Sequence, residues 1–262
     1  MVVFKPGFPT KLHQGAANIV GEYFSKLPVV DTVLVVNSCA RGQAVPESDL
    51  DFAILVKPGT TACERADIEA GWITYSHADS TIAEYRKQSK FCHLHLDIID
   101  GNYNLPVFEE GVAADSFEIE IGNQVCYAAP LYHAGPFFTE LRNKWLPYYH
   151  EELRLQRLAI VKEACEYDLD HIPFFVKRGL HFQAFDILCK AFQKYLQALF
   201  IVNKTYPIAY NKWIKEQVAN WLNKPALYAK LPPVLSVCNI ESDEINGKVK
   251  MLKDLLYDLN NK

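Results

Sequence analysis

The chain has 262 residues, half of them hydrophobic and 13% aromatic, with a formal net charge of −4. That composition supports one large core or two modest ones, and its acidic balance argues against a protein built to grip nucleic-acid phosphates. Seven cysteines, an odd number without a CxxC pair, fit reduced thiols in a cytoplasmic setting. The opening MVVFKPGFPTK lacks a signal peptide's apolar segment, and no run of about 18 apolar residues offers a membrane span.

The first element is a helix over 11–27, with Thr10 as N-cap, Pro28 as stop and Leu12, Ala16, Ile19, Val20 and Tyr23 on one face. Two β-branched and aromatic runs follow, Val33 to Val36 and Phe52 to Val56, which read as buried strands. The loop between them opens with Asn37-Ser38 and closes with Ser48-Asp49-Leu50-Asp51. Alternation along a strand puts Asp49 and Asp51 on one side and Leu50 and Phe52 on the other. Two carboxylates side by side on a strand suit a hard divalent cation, Mg²⁺ being the usual choice. The turn Asn37-Ser38-Cys39-Ala40, backed by Gly42, offers N–H groups and a hydroxyl to phosphate oxygens.

Helices are expected over 61–71 and 80–91, separated by the aromatic GWITYSH. His93 to Asp100, HLHLDIID, is a third strand, with His93, His95 and Asp97 on one face. Asp97 interrupts an otherwise apolar strand and is preferred over Asp100, which stands beside Gly101 in a turn. A His-x-His-x-Asp metal site is weighed and set aside. Three alternate residues on one strand span too far to converge easily on one ion, so the histidines are expected to line the pocket or to hydrogen-bond nearby. After a loop over 101–111, two short strands are expected near 117–121 and 124–128, turning at Gly122-Asn123. Ala129-Pro130 and Gly135-Pro136 mark the expected domain boundary. Beyond it the period changes to that of helices, over 137–167, 181–202, 210–222 and 242–259.

Ser38, Ala40-Arg41-Gly42 and Ser48-Asp49-Leu50-Asp51 together resemble the signature of the DNA polymerase β-like nucleotidyltransferase superfamily. The form is that of the minimal nucleotidyltransferases, GS-x-ARG followed by SDLD, with Asn37 where the family has glycine. The two-part layout looks like that of the aminoglycoside and lincosamide nucleotidyltransferases. The resemblance implies an α+β protein: a small mixed β-sheet nucleotidyltransferase domain over 1–135, then an all-α acceptor-binding bundle over 136–262.

It further implies a Mg²⁺-dependent transfer of a nucleoside monophosphate, AMP foremost, from a triphosphate such as ATP to a hydroxylated small molecule. An antibiotic is one candidate acceptor. Asp49, Asp51 and Asp97 would hold two ions. Asn37, Ser38 and Arg41 would take the triphosphate, with Lys190, Lys194 and Lys212 as candidates from the bundle and Tyr206 nearby. Glu163 and Glu166 are candidate bases, and Trp145 to His150 a candidate ring-stacking surface. Two other readings stay open: an antitoxin-type enzyme that adenylylates a partner protein, and an inactive nucleotide-binding regulator.

Overall fold

Thr10 starts the first helix, its hydroxyl oxygen accepting from the His13 amide at 3.3 Å. The computed structural model describes residues 5–106, 111–133 and 135–259. Helix α1 (Lys11–Phe24) leads into strand β1 (Val30–Val35), a single helical turn α2 (Asn37–Ala40) and strand β2 (Leu50–Val56). Helix α3 (Ala62–Ala78) opens on a reciprocal cap between Thr61 and Glu64 and runs straight through the aromatic segment expected to interrupt it. Gly71 does not break this helix because it serves packing: a Cβ there would stand 2.9 Å from the Tyr23 hydroxyl. Trp72 is thereby buried against Tyr23 and Phe24 of α1.

Helix α4 (Ser80–Gln88), capped by Asp79, precedes strand β3 (Leu94–Ile99). β3 pairs parallel to β2, while β1 pairs antiparallel to both β2 and β4 (Ala129–His133). The sheet is therefore mixed, in the order β3-β2-β1-β4. One side of it, with Val33, Val35, Leu50, Phe52 and Ile54, closes on Ala16, Val20 and Phe24 of α1 and on Ile82 and Tyr85 of α4.

Residues 117–121 and 124–128, expected as strands, are instead mostly helical: α5 (Phe117–Ile121) continues as a π-helical turn over Gly122–Cys126. Phe117, Ile121 and Val125 are all buried. Their four-residue spacing is that of one helix face, and it prevails over the weak turn signal of Gly122-Asn123. Of the loop expected over 101–111, residues 107–110 lie outside the described residues.

The helix expected over 137–167 is two: α6 (Phe137–Trp145) and α7 (Glu151–Lys177). They part at Leu146-Pro147, and Tyr148 takes a left-handed φ of 71°. Helix α8 (His181–Val202) has the bounds its periodicity implied and packs against α7. The remainder comprises a π-helical turn at Glu216–Trp221, the short α9 (Pro225–Tyr228) and α10 (Pro232–Leu235), and α11 (Glu244–Asp258). The architecture is α+β, a small mixed sheet with its helices and a largely helical remainder. Among the described residues no helix is long and apolar enough to cross a membrane.

The chain divides into two compact units, Met1–Asn104 with Glu120–Pro147, and Leu105–Ile119 with Tyr148–Lys262. A cut at 135/136 thus falls inside the first unit. The reason is Asp31: buried on β1, it accepts from the amides of Phe137 and Phe138, each at 3.2 Å, and so fastens the start of α6 to the sheet. Gly135 permits that approach, since a Cβ there would collide with the Asp31 carboxylate.

Candidate functional site

The site lies where β2 and β3 begin. The Leu50 amide donates to the His93 carbonyl at 2.9 Å, which starts the parallel ladder. In the register that follows, Asp51 is beside His95, and Ala53 is beside Asp97. Leu50 and Phe52 are buried on one side, so Asp49 and Asp51 emerge on the other. There the ligand atoms of Asp49, Asp51 and His95 all lie within 4.8 Å of one another. His95 Nε2 is 3.7 Å from Asp49 Oδ2, and the two side chains are 60% and 44% exposed, open to an incoming ligand.

Of the expected triad of Asp49, Asp51 and Asp97, the first two belong to this group and Asp97 does not. Asp97 stands on the same exposed face of β3 but two residues further on, about 7 Å along the strand. It lines a shallow groove with Arg65 and Glu69 of α3 instead. The histidine in this group is His95 of β3. The objection to three ligands from one strand holds, but a single histidine can join two carboxylates across the ladder. Which residue joins them is set by register, and register is not visible in the strand's own alternation.

Beneath the carboxylates the backbone is held by buried side chains. His13 Nε2 donates to the Ser48 carbonyl at 3.0 Å, while its Nδ1 lies 2.8 Å from the Thr10 hydroxyl. The Tyr85 hydroxyl faces two carbonyls, Ser48 at 3.2 Å and His93 at 3.1 Å, and so spans the starts of both strands. Burial pushes its pKa well above that of an ordinary phenol. Neither residue stood out in the sequence. A lone histidine and tyrosine on apolar helix faces carry no motif, and only the fold brings them under Asp49. Cys39 is also buried there, its thiol pushed up to about 12 by burial and by the charges of Asp51 and Asp49. A thiol buried in this way is a poor nucleophile.

The turn of α2 is tied to the same strand, the Val36 amide donating to the Asp51 carbonyl at 3.0 Å. Asn37 adopts a left-handed φ of 56°, the conformation that glycine takes most readily and asparagine tolerates. The Ser38 carbonyl accepts from the amides of Gln43 at 2.9 Å and Arg41 at 3.2 Å, closing the turn. Arg41 is partly buried and its charge acts on Tyr127, opposing the rise that burial gives that phenol.

The other expected site residues belong to the second unit. Lys190 pairs with Asp186 at 2.8 Å, Lys194 is buried against Asp168, and Lys212 is exposed. Glu163 and Glu166 are exposed on α7, and Tyr149 and Tyr206 are buried. Trp145, in the first unit, is buried as well.

As a donor set, two carboxylates and an imidazole fit a divalent cation. The carboxylates alone would suit Mg²⁺, and the nitrogen broadens the choice to transition ions. No family model matches the chain, and no curated protein matches it. Among solved structures, a nucleotidyltransferase-like protein from Exiguobacterium sibiricum 255-15 is similar at 12% identity and a TM-score of 0.42, over 94% of this chain and 74% of that one. A likeness this loose carries no weight for chemistry.

Proposed function

We propose that the chain is a nucleotidyltransferase, moving a nucleoside monophosphate, AMP foremost, from a nucleoside triphosphate to a hydroxyl of a small molecule. The observation that carries this reading is the junction of α2 with β2. A serine-bearing turn is hydrogen-bonded to the backbone of Asp51, while Asp49 and Asp51 project together at its side. Phosphate-binding and cation-binding groups then adjoin on one rigid frame, which phosphoryl chemistry requires because positioning and charge neutralisation supply most of its rate.

In this reading the Ser38 hydroxyl and the turn's N–H groups hold the triphosphate, and Arg41 would supply charge to neutralise it. Asp49 and Asp51 would hold the divalent cation, Mg²⁺ in the usual nucleotide complex. When bound, the cation neutralises phosphate charge and lowers the pKa of the attacking hydroxyl. The acceptor oxygen bonds to the α-phosphorus, the bond to the pyrophosphate oxygen breaks, the hydroxyl proton is released, and pyrophosphate leaves. Because Asn37 keeps the left-handed backbone, its replacement of glycine gives little support to a regulator that binds without turnover.

The test is incubation with each labelled triphosphate and Mg²⁺ or Mn²⁺, with a panel of hydroxylated metabolites and antibiotics. Pyrophosphate and product mass are the readouts. A nucleotidylated small molecule supports the proposal. Label found only on a protein from added lysate would move the acceptor to a partner protein, and triphosphate binding without pyrophosphate from any acceptor would leave a regulator.

A further inference from the structure

We infer that His95, not Asp97, supplies the third ligand of this centre and makes it prefer a first-row transition cation such as Mn²⁺, Co²⁺ or Zn²⁺ over Mg²⁺. The inference rests on the nucleotidyltransferase reading only in using the same two carboxylates. Mg²⁺ takes oxygen ligands and keeps much of its water, whereas imidazole nitrogen is a ligand for transition ions.

The ladder leaves His95 little alternative. Its strand position is fixed beside Asp51, and its Nε2 stands 3.7 Å from Asp49 Oδ2, beyond a hydrogen bond. Two donors about 2.1 Å from a shared ion lie roughly 3–3.4 Å apart, a separation reached here by a small side-chain rotation. Both side chains are substantially exposed, so such a rotation meets little packing. His93, two residues earlier on the same face with its ring 6.0 Å from that of His95, is the internal control. Asp97, paired with Ala53, is the second.

The experiment is pulsed electron paramagnetic resonance of the full chain loaded with Mn²⁺ alone, without nucleotide, so that any nitrogen coupled to the ion comes from the protein. Mn²⁺ and Mg²⁺ affinities are measured alongside by competition. Expected is ¹⁴N modulation of directly bound imidazole in the wild type, kept in His93→Ala and Asp97→Asn and lost in His95→Asp. That last variant should still bind Mn²⁺, because it restores a third carboxylate, and its preference for Mn²⁺ over Mg²⁺ should fall about tenfold or more. Thermal melting of each variant confirms folding.

Mn²⁺ bound in an Asp49-dependent way but without ¹⁴N modulation, or with modulation surviving in His95→Asp, overturns the inference and leaves the nucleotidyltransferase reading intact. Mn²⁺ bound through His95 with no pyrophosphate release from any acceptor does the opposite. Failure of the wild type to bind Mn²⁺ at all without nucleotide overturns the inference alone, because in the nucleotidyltransferase reading the cation can arrive with the triphosphate.

Discussion

Two clusters of carboxylates, one in each unit, are built on opposite terms. Glu118 is fully buried and saturated: it accepts from Arg157 Nε at 2.6 Å, Arg157 Nη2 at 2.8 Å, the Tyr149 hydroxyl at 2.8 Å and Gln197 Nε2 at 2.8 Å. Asp115 adds a second carboxylate on Arg157 Nη2, at 2.8 and 3.0 Å. Burial works against the Arg157 charge, but the hydrogen bonds and charge of Glu118 outweigh it and raise the guanidinium above its ordinary pKa. Asp49 and Asp51, by contrast, stand together at partial exposure with an imidazole beside them. A saturated carboxylate fastens the start of α5 to α7 and α8. Adjacent carboxylates on an open strand end repel one another, a cost that a bound cation would offset.

The difference can be broken by exchanging the expected outcomes. Glu118→Ala leaves the buried Arg157 with Asp115 as its remaining carboxylate and takes the acceptor from the Tyr149 hydroxyl and the Gln197 amide, which should cost about 3–5 kcal/mol, read as a lower urea midpoint. Asp49→Asn removes one of two like charges, so stability should stay within about 0.5 kcal/mol of wild type or rise. Pyrophosphate release should fall on the order of 10²–10³-fold, as when a preorganised charge-stabilising group is lost. A stable Glu118→Ala, or an unfolded Asp49→Asn, would erase the distinction between the two clusters.

Tyr85→Phe sharpens it from below. The ring keeps its place in the core, while the hydroxyl is lost from the Ser48 and His93 carbonyls. The direct cost should be about 1 kcal/mol, since His13 still donates to Ser48. Because those carbonyls set the start of β2 against that of β3, Mn²⁺ affinity should fall about tenfold, as for a residue supporting the ligands from behind. A stability loss with unchanged metal affinity would reduce Tyr85 to a packing residue.

The sequence was legible where one element carries its own pattern. The period of α8 showed its bounds, the Thr10 cap located α1, and the Asp-x-Asp spacing placed two carboxylates on one side of β2. It was illegible where the outcome depends on a partner strand or a distant anchor. His95 rather than Asp97 stands within 4.8 Å of both carboxylates because of a parallel register that neither strand encodes alone. α6 stays with the sheet because Asp31, over a hundred residues earlier, caps it. The helix at 117–121 was hidden because its inward face carries Glu118, which looks solvent-bound until Arg157 is known to meet it.

The smallest effect is expected at Asn37, where the backbone alone is in question. Its φ of 56° costs an ordinary L residue about 1–2 kcal/mol, a penalty that asparagine reduces and glycine escapes. Asn37→Ala should therefore lower stability by about 1 kcal/mol, while Asn37→Gly should remain near neutral, its easier turn offset by a more flexible unfolded chain. If the turn's N–H groups hold phosphate, affinity for triphosphate should follow the same order, weakened in Asn37→Ala and kept or improved in Asn37→Gly. Melting curves with and without triphosphate and Mn²⁺ measure both quantities in one series, because ligand that binds only the folded state raises the midpoint by linkage. Equal triphosphate-induced shifts in both variants, with only the ligand-free melting points differing, would mean that this turn shapes the chain without touching the nucleotide.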